Sequence, residues 1–159
     1  MKNTVAYIVV GWNNYDLLHS CFSSISTQEY SKRVVIYVDN GSTDGSVDYI
    51  RAHFPSVICI ENGKNYGFAR GNNIGITAAL KNKSVGYIAL LNSDATLADN
   101  WTSNLVSFAK SKGRIAALQG ITLDYYDHSI IDSTHIYLSR NGQATQGSYR
   151  DKLIGVPSS

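Results

Sequence analysis

Asn92-Ser93-Asp94 follows directly on the apolar run Tyr87-Ile88-Ala89-Leu90-Leu91. That order hangs a carboxylate off the end of a buried strand, where α/β proteins hold their ligands. A carboxylate with an amide oxygen two residues before it suits a hard divalent cation whose other ligands are phosphate oxygens. The chemistry such a loop serves is that of nucleotide diphosphates.

Three other segments carry comparable chemistry. Gly11-Trp12-Asn13-Asn14 follows the first apolar run, and its plainest role is a turn in which Asn13 or Asn14 caps the next helix. In Asp39-Asn40-Gly41-Ser42-Thr43-Asp44-Gly45-Ser46, glycines allow tight turns, and hydroxyl or acidic residues can cap the helix that follows. Asp39 sits immediately after Val38, where its carboxylate can accept hydrogen bonds from a base N–H or a ribose hydroxyl. Asn65-Tyr66-Gly67-Phe68-Ala69-Arg70-Gly71-Asn72-Asn73 brings amides, N–H donors and Arg70 to a helix entry, a plausible anion or sugar site. The alternative for this segment is a glycine-rich helix start with Arg70 solvated. For Asn92-Ser93-Asp94 it is a capping turn, although Asp99 is better placed to cap the helix carrying Trp101.

The elements that must position these loops read as βαβ units. Apolar runs at Val5–Val10, Val34–Val38, Val57–Ile60, Tyr87–Leu91 and Ile115–Leu118 predict parallel strands. Between them lie four helical patterns: Leu17, Leu18, Cys21, Phe22 and Ile25; Val47, Ile50 and Phe54; Ile76, Ala79 and Leu80; and Trp101, Leu105, Phe108 and Ala109. Strands that are apolar throughout need cover on both sides, so the expected fold is α/β, a mostly parallel sheet with helices on both faces. All the post-strand loops then gather along one edge. After Gly120 the pattern loosens into Tyr125-Tyr126-Asp127, Ile136-Tyr137-Leu138 and the polar Asn141-Gly142-Gln143, which predicts short antiparallel strands with turns. The expected organisation is an α/β domain over residues 1–123 and a C-terminal extension of it over 124–159. Gly155–Ser159 offers neither pattern.

The chain's 159 residues, 43% hydrophobic and 16% charged, are those of one globular domain without low-complexity tracts. Fourteen basic and twelve acidic residues, scattered rather than gathered into a stripe, exclude a nucleic-acid footprint. The Val5–Val10 run is too short for a signal-peptide core, and no stretch approaches the roughly 20 apolar residues of a membrane span. Any membrane association is expected to be peripheral. Cys21 and Cys59 fall on apolar positions and read as reduced core thiols, in keeping with a cytoplasmic protein.

Taken together, Val38-Asp39-Asn40-Gly41-Ser42-Thr43-Asp44-Gly45-Ser46, Asn65-Tyr66-Gly67-Phe68-Ala69 with Gly71-Asn72-Asn73, and Leu90-Leu91-Asn92-Ser93-Asp94 resemble the family-2 inverting glycosyltransferases, and most nearly their rhamnosyltransferase-like branch. The resemblance runs in order from Val5 to about Leu123. It implies a GT-A (Rossmann-like) fold, a UDP-, dTDP- or GDP-sugar donor, and a divalent metal, Mn²⁺ or Mg²⁺. Carried over by position, Val10, Gly11, Trp12, Asn13 and Asp39 would hold the nucleoside. Asn65, Gly67, Arg70, Asn72 and Asn73, with Asn92 and Ser93, would complete the donor site. Asn92-Ser93-Asp94 matches the family's Asp-x-Asp motif, with Asp94 as metal ligand and Asn92, a neutral amide, as the weaker second. Arg70 stands where family members often have Gly.

The implied reaction is inverting displacement at the anomeric carbon by a hydroxyl of a glycan or lipid-linked acceptor, with metal and N–H donors stabilising the departing diphosphate. It also needs a general base, which in this family lies well beyond the Asp-x-Asp loop. No matching segment appears before Ser159, and Asp124, Asp127 and Asp132 read as turn residues rather than that base. The expectation is the donor-binding half of a longer enzyme, or a truncated, inactive relative serving as a nucleotide-sugar-binding module. The resemblance places it in the cytoplasm, peripheral at the inner face of the membrane, and leaves the oligomeric state open. A Rossmann-type oxidoreductase, with Asp39 on a ribose, is a poor alternative because no Gly-x-Gly-x-x-Gly follows the first strand.

Overall fold

Thr4–Gly11 (β1) is almost wholly apolar, and such a strand is stable only between two covered layers. In the computed structural model, which describes residues 2–134, 136–138 and 144–153, β1 lies inside a four-stranded parallel sheet. Its partners are β2 (Arg33–Asp39), β3 (Ile58–Glu61) and β4 (Val85–Asn92), in the order β3-β2-β1-β4. Helices α1 (Tyr15–Ser26), α2 (Ser46–His53), α3 (Phe68–Ala79) and α4 (Trp101–Lys112) follow the four strands in turn.

Side chains alternate across the sheet. Ala6 and Ile8 of β1, with Ile36 and Val38 of β2, form one buried face with Ala79 of α3. On the other face lie Tyr7 and Tyr37, both fully buried; Phe22 of α1 meets the Tyr37 ring edge-on at 5.7 Å. Helix α3 comes unusually close to β1. A Cβ at Gly75 would stand 2.4 Å from Ile8 Cγ2, and one at Gly71 2.7 Å from Val10 Cγ1. Two glycines four residues apart share one helix face, so α3 lies flat along β1 with its N-terminus at the end where β1 stops.

The starts of α1 and α4 are capped by residues distant in sequence. Asn14 occupies the N-cap of α1 without a side-chain cap bond; Asp44 Oδ2 accepts the Tyr15 N–H at 2.9 Å instead. Asp99 does not cap α4 either, since its Oδ1 accepts the Thr27 hydroxyl, and Gln28 Oε1 accepts the Thr102 N–H at 3.1 Å. Asp44 Oδ1 caps α2 through the Ser46 N–H, as its own loop predicts. Leu17, Leu80 and Phe108, expected on apolar faces, are 44%, 59% and 48% exposed.

The fifth expected strand does not form: 115–118 pairs with no neighbour. Ile-Ala-Ala-Leu has two residues of weak strand preference, and a short apolar run alone does not distinguish strand from coil. The chain divides into two compact units, Met1–Ser103 and Asn104–Ser159. In the second, β5 (Thr122–Leu123) pairs antiparallel with β6 (Ile131–Ser133), and β7 (Ile136–Leu138) with β8 (Ala144–Gln146). The short antiparallel strands are thus present, but Tyr125–Asp127 is a turn. Asn141-Gly142-Gln143 and 154–159 lie outside the described residues. Among the described residues no helix is long and apolar enough to cross a membrane.

Candidate functional site

Strand register brings the candidate residues together. Gly11 pairs with Asp39 and Val10 with Asn92, so the ends of β2, β1 and β4 lie side by side. At about 4.8 Å between strands, the three ends span about 10 Å of one sheet edge.

The loops after β1 and β2 are stitched into one wall. The Asn13 N–H donates to Ser42 Oγ at 2.9 Å, and Asn13 Oδ1 accepts the Thr43 N–H at 2.8 Å. Asn13 has a φ of 49°, the left-handed region that Asn tolerates better than most residues. Asp44 closes the clasp by capping both α1 and α2. Burial works against its charge. Hydrogen bonds from the Tyr15 and Ser46 amides prevail, holding the carboxyl below the usual range. Trp12 is 55% exposed on this wall, and Val10 is half-buried with its side chain against Gly71 of α3.

Asp39 has a structural task of its own. It is 3% exposed, and its Oδ2 accepts the Gly41 and Ser42 N–H groups, each at 2.9 Å. These bonds bend the chain through Gly41, whose φ of 80° and backing against the Lys64 backbone exclude a side chain. Oδ1 has only a long contact, 3.5 Å from the Tyr37 hydroxyl, and is the less engaged of the two oxygens. Burial first and the Asp39 charge second raise the Tyr37 pKa, so that hydroxyl stays a donor.

In the loop after β3, Asn65 Oδ1 accepts the Gly67 N–H at 2.8 Å and sets up the N-cap of α3. Arg70 is exposed, as the solvated alternative expects, and its guanidinium stacks over the Tyr66 ring at 4.0 Å, with Lys64 Nζ 5.0 Å from the same ring. Asn72 is buried, and its Nδ2 donates back to the Phe68 carbonyl at 3.0 Å, whereas Asn73 is exposed.

At the end of β4 the Asn92 carbonyl accepts the Ala95 N–H at 3.2 Å and the buried Cys21 thiol at 3.6 Å. Asn92 and Asp94 are exposed and Ser93 is half-buried. Among the described residues, no donor occupies the Asp94 carboxylate. Its charge reaches Cys21, where burial first and Asp94 second push the thiol pKa up to about 12. Nor does any group of three or more His, Cys, Asp or Glu among the described residues form a ready metal cage. One free carboxylate beside one amide fits a cation that brings other oxygen ligands with it, as a diphosphate-bound metal does.

Asp124 and Asp127 of the second unit make poor bases. Asp124 Oδ1 accepts the Asp127 and Tyr126 amides at 3.0 and 2.9 Å, and Asp127 Oδ1 accepts the Ser129 hydroxyl and amide. These bonds lower both pKa values, the turn role their sequence context predicts. Asp132, expected in a turn, lies instead within strand β6, where pairing with β5 extends the chain, and it too is engaged.

Sequence reasoning missed Asn40, Cys21 and Tyr37 as organisers of this edge. A motif shows which residues cluster near a strand end but not which neighbour each side chain reaches. Asn40 had a visible signal, an amide next to Asp39 just past the end of a buried strand; the Cys21 contact, 71 residues away in sequence, had none.

A parallel sheet presenting these loops at its C-terminal edge is the GT-A class of nucleotide-sugar fold, and solved members share it. TarS of S. aureus in complex with UDP superposes with a TM-score of 0.61 at 17% identity, over 69% of this chain and 32% of that one. A mannosyltransferase from Pyrobaculum calidifontis in complex with GDP-Man and Mn²⁺ gives 0.58 at 23% identity, over 66% of this chain and 32% of that one. Residues 7–156 match glycosyl transferase family 2, and the chain belongs to that family. An Escherichia coli UDP-Glc:α-D-GlcNAc-diphosphoundecaprenol β-1,3-glucosyltransferase, WfaP, is 33% identical over 104 residues, 65% of this chain and 38% of its own. An uncharacterized Haemophilus influenzae glycosyltransferase is 26% identical over 72% of this chain and 35% of its own. The chain therefore spans little more than a third of the curated relatives it matches.

Proposed function

We propose that this chain is the donor-binding part of an inverting glycosyltransferase. It would hold a nucleotide-diphosphosugar for metal-assisted transfer to a glycan or lipid-linked acceptor. The observation that carries this reading is the alignment of Asp39, Gly11 and Asn92 on adjacent strand ends, with the unoccupied carboxylate of Asp94 just beyond.

In this reading Asp39 Oδ1 receives a base or ribose donor, and the wall of Val10, Gly11, Trp12 and Asn13 covers the nucleoside. Asn65, Gly67, Arg70, Asn72 and Asn73 border the diphosphate and sugar, with Arg70 leaving Tyr66 to reach them. Ser93 and Asn92 present Asp94, which holds the cation, and Asn92 adds a neutral oxygen. A bound Mn²⁺ or Mg²⁺ supplies positive charge at the departing diphosphate. The resemblance favours rhamnose as the sugar. The diphosphoundecaprenol substrate named for WfaP supports a lipid-linked acceptor and, with it, a site at a membrane surface.

Calorimetric titration with UDP, dTDP and GDP, each with and without Mn²⁺, tests the reading. Binding of one of them below millimolar concentration, strengthened by metal, is expected; binding of none overturns it. The turn engagement of Asp124 and Asp127 favours a second reading, a binding module without transfer. Release of nucleotide diphosphate from the sugar nucleotide, dependent on metal and lost in Asp94→Ala, would eliminate that alternative.

A further inference from the structure

Asn40 is 3% exposed and touches every loop of the first unit's sheet edge except the one after β4. Its backbone N–H donates to the Gly11 carbonyl at 2.9 Å, fixing the end of β2 against β1. Its side chain turns the other way. Oδ1 accepts Nδ2 of Asn62 at 2.8 Å, where the chain leaves β3, and Nδ2 donates to the Gly67 carbonyl at 3.3 Å, the N-cap of α3. Gly71, one turn into α3, leaves just enough room: a Cβ there would lie 3.4 Å from Asn40 Nδ2.

An amide is the side chain that does this with least cost, because it offers an acceptor at one end and a donor at the other. A carboxylate would keep the Asn62 bond but present an acceptor to the Gly67 carbonyl. We infer that Asn40 is a positioning residue: its amide sets the first turn of α3, with Arg70, at a fixed distance from the nucleoside wall of Gly11 and Asp39. In this way it couples recognition of the nucleoside to recognition of the diphosphate. The inference rests on the donor-binding reading above.

The backbone bond to Gly11 survives any substitution at Asn40 except proline, so the nucleoside wall should stay in place while the start of α3 loosens. The measurement is the ratio of Kd for the nucleoside monophosphate to Kd for the diphosphate with Mn²⁺, using UMP/UDP, dTMP/dTDP and GMP/GDP. In Asn40→Ala the ratio is expected to fall about fivefold, the worth of one hydrogen bond, with monophosphate binding changed less than twofold. Asn62→Ala, which leaves the Gly67 bond intact, should keep the wild-type ratio.

Asn40→Asp, nearly isosteric, serves if the alanine variant does not fold. Its ratio should be low at pH 8 and approach wild type measured at the same pH as acidification protonates the new carboxyl and restores a donor. A wild-type ratio in Asn40→Ala, or in Asn40→Asp at pH 8, overturns the proposal while leaving the donor-binding reading intact. Wild-type protein that binds no diphosphate overturns both.

Discussion

The Cys21 thiol on α1 donates to the Asn92 carbonyl at 3.6 Å, so a buried helix residue braces the turn that carries Asp94. The same contact lets the Asp94 charge act on the sulfur, adding to burial in raising its pKa.

Cys21 should make the fold sensitive to alkali. With its pKa moved from 9.0 to about 12, the folded state keeps a proton that the unfolded state releases above pH 9. The stability this group contributes is complete below pH 9 and is lost as pH rises toward 12, at about 1.4 kcal/mol per unit. Urea denaturation at pH 8, 9 and 10 measures the slope, and Cys21→Val should flatten it. Below pH 9 the native thiol should resist alkylation that goes to completion in denaturant.

Asp94→Ala should remove the metal-dependent part of diphosphate binding while sparing the metal-independent part. Loss of the one unengaged carboxylate just past the end of β4, Asp99 on the same loop being bonded to Thr27, should weaken Mn²⁺-assisted binding by at least about tenfold, since even residues behind metal ligands matter that much. Calorimetry with and without Mn²⁺ separates the two parts, and equal loss in both would remove Asp94 from the metal site.

Gly75→Ala tests how closely α3 lies on β1. In an open helix this change would gain about 1 kcal/mol. Here the new methyl meets Ile8 Cγ2 at 2.4 Å and Val38 Cγ2 at 3.1 Å. Overpacking should outweigh propensity for a net loss of about 1–3 kcal/mol, read from urea midpoints.

Asp44→Ala should cost about 1–2 kcal/mol, because one carboxylate caps both α1 and α2. Since the folded pKa of Asp44 is depressed, its contribution is present above the unfolded value of 3.8 and fades as pH falls through the folded one. Wild type should therefore lose more stability than the variant on acidification below about pH 4, as thermal melts across pH 2.5–6 would record.

Sequence alone determined the parallel strands β1 to β4, the four helices and the ordering of the loops. Those follow from local periodicity: near-continuous apolar runs make strands, and spacings of three and four make helices, although the runs expected to be buried in β3 and β4 became edge strands with Ile58 and Leu90 about half exposed. The motif around Asp39 and that ending in Asp94 were legible for the same reason, since each lies directly behind a strand. What depended on tertiary structure is how those residues are used. Asp39 spends one oxygen holding its own loop, Arg70 rests on Tyr66, and Asp44 and Gln28 take capping roles that local sequence assigned to Asn13 or Asn14 and to Asp99. The run at 115–118 had strand-like composition and no strand partner. Hydrogen bonds and strand pairing depend on which distant groups arrive within about 3 Å, and a one-dimensional pattern carries periodicity but not that distance.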